Sequence, residues 1–249
     1  MQRDRMDWIW FGGLWVLFTA IGEVLALGLN LLPGQYAEEA KVVDDAYVLL
    51  IALSVPVFAL VAAVLLTAML RFRTRVGPDG PTEDGPHIAY NKRVVRGWFI
   101  GSISLVLLVV INPGLVGLSE IRGESSADMV VEVTSQRWLW TFGFENGAET
   151  TTELVLPVDK RVRFDITSLD VVHSFWVPAF RTKIDAVPGR VTELFVTPNR
   201  EAEPEEDVAN LRVQCAEVCG LGHARMGVPI RIVPEAEFDA WVANLAEGE

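Results

Sequence analysis

The chain has 249 residues, of which 51% are hydrophobic, and its mean hydropathy of +0.31 is too high for an ordinary soluble domain. We therefore expect membrane-spanning segments together with one globular domain. The formal net charge is −12, and residues 120–249 carry −11 of it, with 23 acidic and 12 basic side chains. An acidic balance of this size argues against nucleic acid as a partner. It is compatible with a basic protein partner or with plain solubility.

The first predicted element is a hydrophobic segment from about Trp8 to Leu32. It is long enough to cross a bilayer, for which about 20 apolar residues are needed. Glu23 lies inside it, and a carboxylate at membrane depth is costly unless it faces protein or water. The apolar core is longer than that of a usual signal peptide. The pattern therefore favours an additional transmembrane helix in residues 1–34 over a cleaved signal segment.

Two further spans are predicted, from Tyr47 to Leu70 and from Trp98 to Leu118, so that residues 47–119 form a transmembrane hairpin. The connecting loop, residues 71–96, is the most basic short loop of the chain and is therefore expected to be cytoplasmic. This orientation places the acidic loop before the second span and the C-terminal part outside. His87 lies in the cytoplasmic loop and is thereby separated from the C-terminal cysteines.

The outer part of the chain is predicted to be a β domain. Short β-branched runs separated by Pro, Gly and Asn turns occur at 130–134, 161–166, 191–196 and 228–233. About a hundred residues of such strands suit a Greek-key sandwich or barrel, which we place at residues 125–234. Residues 235–249 are predicted to form a C-terminal helix and tail. The predicted fold class is therefore a membrane-anchored all-β protein.

The two cysteines lie in one short segment whose candidate ligands are Cys215, Glu217, Cys219, His223 and Met226. Thiolate, imidazole and thioether ligands select copper or zinc over magnesium or calcium. Cupredoxin-type sites add a second histidine from an earlier strand, and His173 is the candidate because His87 is cytoplasmic. A disulfide and a zinc site remain alternatives. The disulfide leaves the histidine and methionine spacing unexplained, and zinc rarely takes a thioether.

The same segment resembles the CuA loop of subunit II of the haem–copper cytochrome c oxidases, Cys-x-Glu-x-Cys-Gly-x-x-His-x-x-Met, at every fixed position. Residues 168–190 and the aromatic segment 138–142 are similar to that family as well, and the likeness runs from about residue 47 to the C-terminus. The resemblance implies a cupredoxin-like domain with a binuclear copper centre (CuA). In that centre Cys215 and Cys219 bridge two coppers, His173 and His223 each bind one, and Met226 is a weak axial ligand.

The resemblance also implies roles outside the core ligand set. The Glu217 carbonyl would be a weak copper ligand, and its carboxylate would help bind a magnesium ion shared with subunit I. Trp138 matches the surface tryptophan where electrons enter beneath the docked donor, although without the match an ordinary core aromatic would be the simpler interpretation. Asp170 matches an acidic position of the donor-docking patch. Three charged residues match the segment that faces subunit I, namely Lys183, Asp185 and Arg190.

The implied function is that of subunit II of a terminal oxidase. It accepts electrons from cytochrome c or a copper-protein donor and passes them to haem in subunit I, where oxygen is reduced to water with coupled proton translocation. Expected partners are subunit I, the other oxidase subunits, the donor and the membrane. The expected location is the bacterial plasma membrane, with the C-terminal domain on the periplasmic side. Alternatives are the CuA subunit of a nitric oxide reductase and, from a different class, a membrane-anchored copper carrier.

Overall fold

The computed structural model describes residues 2–29, 32–72, 76–77, 80–81, 90–122 and 126–247. Half of the predicted cytoplasmic loop, residues 71–96, lies outside these residues, and that half includes His87. The chain divides into two compact units, one made of Met1–Leu31 and Asp45–Leu115 and the other of Leu32–Asp44 and Val116–Glu249.

Helices dominate the first unit, although the first residues of α2, up to Asp44, belong to the second unit. They are α1 (Gln2–Gly28), α2 (Glu38–Arg71) and α3 (Lys92–Val109), and a strand pair of two residues each, Val76–Gly77 with Gly80–Pro81, lies between α2 and α3. A π-helical turn, Val110–Leu115, connects α3 to α4 (Val116–Arg122). Asn112 has φ −136° and ψ 114° within this turn, directly before Pro113, which lacks the N–H that a regular helix needs.

Three helical segments within the described part of the chain are long and apolar enough to cross a membrane, namely Arg5–Gly28, Glu38–Arg71 and Lys92–Arg122. Helices α1 and α2 run antiparallel, and three contacts join them. Arg71 Nε donates to Asp7 Oδ1 at 2.6 Å, and Trp15 Nε1 donates to the Pro56 carbonyl at 2.9 Å. The absence of a side chain at Gly22 lets α1 approach Val55, whose Cγ1 would lie 2.6 Å from an added Cβ.

Ten strands lie in the described part of the second unit. They are β1 (Met129–Gln136), β2 (Leu139–Gly143), β3 (Glu149–Thr150), β4 (Leu154–Pro157), β5 (Val162–Ser168), β6 (His173–Val177), β7 (Thr182–Ala186), β8 (Thr192–Val196), β9 (Arg212–Cys215) and β10 (Gly227–Val233). Helix α5 (Glu235–Glu247) follows β10.

The strands form two five-stranded sheets, ordered β8-β5-β1-β2-β3 and β4-β10-β9-β6-β7. Pairing is antiparallel except between β1 and β5 and between β4 and β10, which are parallel. The chain changes sheet repeatedly, as in Greek-key sandwiches. The predicted fold class, apolar helices followed by a cupredoxin-like β-sandwich, is thereby confirmed.

The core of the sandwich follows from the period-two pattern of its strands. Along β5 the side chains alternate, so that Val162, Phe164 and Ile166 are fully buried between the sheets. Aromatic edges fill the centre, where the Trp140 and Phe175 rings lie 5.7 Å apart at an interplanar angle of 84°. The core therefore supports β6 from inside, and β6 begins at His173.

The short segment Leu32–Asp44 belongs to the β unit. Its Tyr36, Ala37 and Ala40 side chains are buried in the core cluster, and Ala37 forms a β-bridge with Pro198. Buried Glu39 accepts hydrogen bonds from Thr197 N at 2.8 Å and Arg161 Nη1 at 3.2 Å. The sequence interpretation treats this stretch as an acidic loop outside residues 125–234. In the structure it belongs to the same compact unit as the strands, because Tyr36, Ala37 and Ala40 pack into the core of the sandwich.

Candidate metal centre

Strand pairing brings the candidate ligands of two distant segments together. Strand β6 lies beside β9, with Phe175 paired to Cys215, so His173 at the start of β6 lies near Cys215 at the end of β9. The loop that follows β9 is closed at its base, because Cys215 N donates to the Met226 carbonyl at 3.0 Å. It is also tied to β6, since Ala216 N donates to the Ser174 carbonyl at 3.0 Å.

The donor atoms of the predicted ligands converge in this loop. Cys215 Sγ and Cys219 Sγ are 3.8 Å apart, and His173 Nδ1 lies 3.8 Å from Cys215 Sγ. On the other side of the pair, His223 Nδ1 and Met226 Sδ lie 3.7 Å and 3.8 Å from Cys219 Sγ. Donor atoms of His173, Cys215 and Cys219 all lie within 4.8 Å of one another. Two thiols thus occupy the middle, with one imidazole on each side and a thioether at one end.

This arrangement fits copper better than the two alternatives weighed from the sequence. The cysteines are free and buried, and their sulfur separation far exceeds the roughly 2.05 Å of a disulfide bond. Zinc favours four strong ligands in a tetrahedron, whereas here a thioether takes one of the positions around the sulfur pair. Soft thiolate and thioether ligands combined with imidazole are the set that copper prefers.

His173 is oriented by the carboxylate of Asp170. Its ring is fully buried, and Nε2 lies 2.9 Å from Asp170 Oδ1. An ionised carboxylate can only accept, so Nε2 carries the proton and Nδ1 presents its lone pair toward the sulfur atoms. A carboxylate behind a ligating histidine is a common way of holding the tautomer and ring orientation at metal sites.

Hydrogen bonds keep that carboxylate ionised. Burial by itself raises the pKa of Asp170, but hydrogen bonds from the His173 ring, Val171 N–H and Arg137 N–H outweigh it and lower the pKa to about 2. The acidic position that the resemblance assigns to donor docking is therefore occupied by internal contacts in the structure. The sequence contained no signal for this role other than the three-residue separation from His173.

The second thiol is held in its neutral form when no metal is bound. Burial raises the pKa of Cys219 to about 11, and the adjacent Cys215 adds to the shift through a hydrogen bond and charge repulsion. Metal binding at such a site must displace protons.

Glu217 presents its two functional groups in different directions. Its backbone carbonyl lies 3.1 Å from Cys215 Sγ, at the edge of the donor cluster. Its side chain is exposed on the surface of the loop. Lys183, Asp185 and Arg190, which the resemblance assigns to the surface facing subunit I, are also exposed.

Trp138 lies at the turn between β1 and β2, and 42% of it is exposed. Its indole ring packs against Gly220 and Gly222 of the loop. Trp140 and Phe142 are buried in the core instead. Exposed apolar side chains occur on the segments that adjoin Trp138, and we call them the apolar rim: Leu139, Leu169, Val218 and Leu221.

Comparisons with known proteins place the chain near one family. A sequence model of the family described as "Cytochrome C oxidase subunit II, periplasmic domain" matches residues 147–233. The chain is 25% identical to cytochrome c oxidase subunit 2 of Thermostichus vulcanus, over 94% of this chain and 84% of that protein. It is 28% identical to cytochrome c oxidase subunit 2 of Cereibacter sphaeroides, over 82% of this chain and 75% of that protein.

A solved structure was also matched. It is the crystal structure of the periplasmic domain of subunit II of cytochrome oxidase from Bradyrhizobium japonicum. This structure is 30% identical and covers 49% of this chain and 96% of that chain, with a TM-score of 0.44.

Proposed function

This chain belongs to the cytochrome c oxidase subunit II family, and we propose that its β domain holds a binuclear copper centre that receives electrons for a haem–copper terminal oxidase. The observation that carries the proposal is the convergence of two buried thiols, two imidazoles and a thioether on one loop. When bound, the copper centre accepts single electrons from the donor and passes them to haem in subunit I. Oxygen is reduced in that subunit, with coupled proton translocation, and not by this chain alone.

Each residue of the cluster has a distinct task. The thiolates of Cys215 and Cys219 would hold the two coppers together, and His173 and His223 would each supply one imidazole ligand. Met226 and the Glu217 carbonyl would be the weak ligands. The short loop between β9 and β10 and the Asp170 carboxylate hold these groups in place. A ligand set that is held rigid minimises rearrangement when an electron arrives or leaves.

Two surface assignments complete the proposal. Trp138 is the residue under the docked donor, cytochrome c or a copper protein, because it is exposed on one side and packed on the metal loop on the other. The exposed Glu217 carboxylate contributes to a magnesium site shared with subunit I, for which an oxygen ligand is suitable.

The β domain lies on the periplasmic side of a bacterial plasma membrane in this proposal. Two chain segments support it. Leu32–Asp44 includes the start of α2 and Val116–Glu249 includes the β domain, and both belong to one compact unit, so we place both on one side of the membrane. The basic loop between α2 and α3 then lies on the other side, as the positive-inside rule requires.

The copper-carrier alternative fits the site poorly. A carrier must give its ion to a partner, yet His173, Cys215 and Cys219 are 0%, 1% and 5% exposed. Such burial suits a resident centre that exchanges electrons and retains its metal.

The test is reconstitution of the full-length chain in detergent with copper. We expect two coppers per chain and a mixed-valence paramagnetic signal shared by both nuclei. The Cys215→Ser variant should lose this signal, and the native chain should co-purify with a haem-containing subunit. One copper per chain, or zinc as the retained metal, would contradict the proposal.

A further inference from the structure

Two glycines of the metal loop form a seat for the indole of Trp138. A Cβ added at Gly222 would lie 2.3 Å from Trp138 Cδ2 and 2.4 Å from Cγ. A Cβ added at Gly220 would lie 3.3 Å from Cζ2 and 3.5 Å from Nε1. The centre of the ring system therefore rests on the backbone at Gly222, and the edge that carries the indole nitrogen rests at Gly220. We refer to these two residues as the glycine seat.

The contact at Gly222 leaves no room for a side chain. A separation of 2.3 Å is far inside ordinary van der Waals contact, which for carbon atoms begins at about 3.5 Å. The obstructing atoms belong to the fused bicycle of a tryptophan, so the whole ring must move to relieve the overlap. At Gly220 the space is less tight, but φ is +121°, a value that other residues rarely adopt.

The seat lies between two candidate ligands. Gly220 follows Cys219 directly, and Gly222 precedes His223. Their carbonyls accept the hydrogen bonds that shape the turn at His223, from His223 N at 3.1 Å to Gly220 and from Arg225 N at 2.9 Å to Gly222. An indole in contact with this backbone touches the short stretch of chain that joins one thiol to one imidazole.

The position of Trp138 is constrained from the opposite side as well. The backbone N–H of the preceding residue, Arg137, donates to Asp170 Oδ2 at 2.9 Å, and Asp170 also holds His173. The Trp138 ring thus packs on the loop that carries His223. The residue before it is hydrogen-bonded to the carboxylate that holds His173.

We propose that Gly222 is a positioning residue for electron transfer, because its missing side chain lets the Trp138 ring lie in direct contact with the metal loop. The inference deepens the proposed function and rests on it for the electron-accepting role of Trp138. Electron transfer across a packing gap weakens steeply as the gap widens. A methyl group at position 222 lifts the ring off the backbone and widens the gap between the exposed surface and the metal centre.

The first test measures ring position in the copper-free, full-length chain. The tryptophans are replaced by 5-fluorotryptophan, and the fluorine resonance of Trp138 is identified by its loss in Trp138→Phe. We expect this resonance to shift in Gly222→Ala. The matched control is Gly143→Ala, where an added Cβ would meet only ordinary contacts, the nearest at 3.6 Å from Glu132 Cβ. An unchanged resonance in Gly222→Ala overturns the inference.

Stability supplies a second measurement that needs neither copper nor donor. Gly222→Ala should lower the thermal unfolding midpoint of the chain, and it should have little effect in a Trp138→Ala background, where the obstructing ring is gone. An equal loss in both backgrounds would mean that position 222 acts through the loop itself, and would reject the seat.

The third test is functional. In the copper-loaded chain, Gly222→Ala should slow reduction by the donor about tenfold or more, a cost typical of misplacing a reacting group by an ångström, while the optical spectrum of the centre stays unchanged. In a Trp138→Phe background the same change should add no comparable slowing. Normal rates in Trp138→Phe alone would refute the electron-accepting role of Trp138 and leave the ring-position result standing. A changed copper spectrum in Gly222→Ala would refute the positioning role.

Discussion

The imidazole of His173 is held from both of its nitrogens. Nε2 lies 2.9 Å from Asp170 Oδ1, and Nδ1 lies 3.8 Å from Cys215 Sγ. The Asp170 carboxylate has further donors in two backbone N–H groups, which keep it ionised with its lowered pKa. A single acid therefore sets the tautomer and ring direction of a proposed ligand, and little of its hydrogen-bonding capacity is left for a docking partner.

We predict that Asp170→Asn weakens copper binding by the full-length chain by roughly 10- to 100-fold, the usual cost of losing a group that orients a ligating histidine. Competition with a copper chelator measures the effect. The control is Asp165→Asn, because Asp165 pairs with Arg163 at 2.8 Å and contacts no proposed ligand. Unchanged copper affinity combined with weaker donor binding would restore the docking role.

Met226 gives a second prediction at this scale. Its side chain is buried and its sulfur lies 3.8 Å from Cys219 Sγ. Met226→Leu keeps the volume and removes the thioether, so the loop should stay folded. We expect both coppers to remain bound and the reduction potential of the centre to shift, as measured by redox titration. Loss of copper would show that the thioether is a strong ligand.

At the scale of elements, Leu32–Asp44, which includes the start of α2, is an integral part of the β unit. Buried Glu39 contacts Thr197 and Arg161, and Asp44 accepts from Arg181 Nε at 2.7 Å. Arg181 also donates to the carbonyls of Pro33 and Gly34. These contacts satisfy buried charges and fasten both ends of the segment to the domain.

Glu39→Gln is predicted to destabilise the full-length chain by about 3 kcal/mol, because removing one partner of a buried ion pair leaves the other poorly compensated. The neighbouring Glu38 provides a matched control, since it is exposed at the start of the same helix. Glu38→Gln should change stability little. Chemical denaturation followed by near-ultraviolet circular dichroism compares the two, and equal effects would contradict the buried role of Glu39.

The contacts of residues 32–44 with the core also predict the relative stability of two fragments of the chain. A fragment of residues 126–247 lacks Tyr36, Ala37 and Ala40 and exposes the core surface they cover. We expect it to unfold at a lower temperature than a fragment in which residues 32–44 are joined to it by a flexible linker. Identical midpoints would show that the segment is dispensable.

At the scale of the whole molecule, net charge and the apolar rim contribute to donor binding in different ways. Residues 120–249 carry a net charge of −11, which attracts a basic protein over a distance of about 10 Å at moderate salt. The apolar rim lies on the segments that adjoin Trp138, with Leu169 68% and Leu221 98% exposed. We infer that the overall field guides the donor and the apolar rim makes the contact.

The rate constant for donor association should therefore fall as ionic strength rises, as measured by stopped-flow reduction of the copper centre. Neutralising two exposed acids, Glu201 and Glu205, to glutamine should flatten this dependence. Leu169→Ser should slow association at high salt, where only the apolar contact remains. A rate that stays flat or rises with salt would reject electrostatic guidance.

Membrane orientation is the second prediction at this scale. A cysteine introduced at Ser126 should react with an impermeant thiol reagent from outside, and one at Tyr90 should react only after the membrane is opened. The copper-loaded native chain serves as the background control, because both native cysteines are buried. Labelling of Tyr90→Cys from outside would reverse the orientation.

Local patterns in the sequence were sufficient to predict the features that depend only on residues close together in the chain. Hydropathy over about 20 residues predicts the spans because bilayer thickness sets their length. The spacing from Cys215 to Met226 predicts the ligand loop, since all its donors lie within one short stretch of chain. His173 could be chosen because the chain has only three histidines and one of them lies in the basic loop.

Only the tertiary structure decided the contacts between distant segments. The direction of the Asp170 carboxylate, the packing of Trp138 on Gly222 and the burial of Tyr36, Ala37 and Ala40 all depend on contacts between distant segments of the chain. A sequence pattern specifies which face of a strand is apolar, but it does not specify which strand lies beside it. From the sequence alone, Asp170 is therefore indistinguishable from a surface acid and Gly222 from an ordinary loop glycine. Their contacts with the His173 ring and the Trp138 indole are visible only in the folded domain.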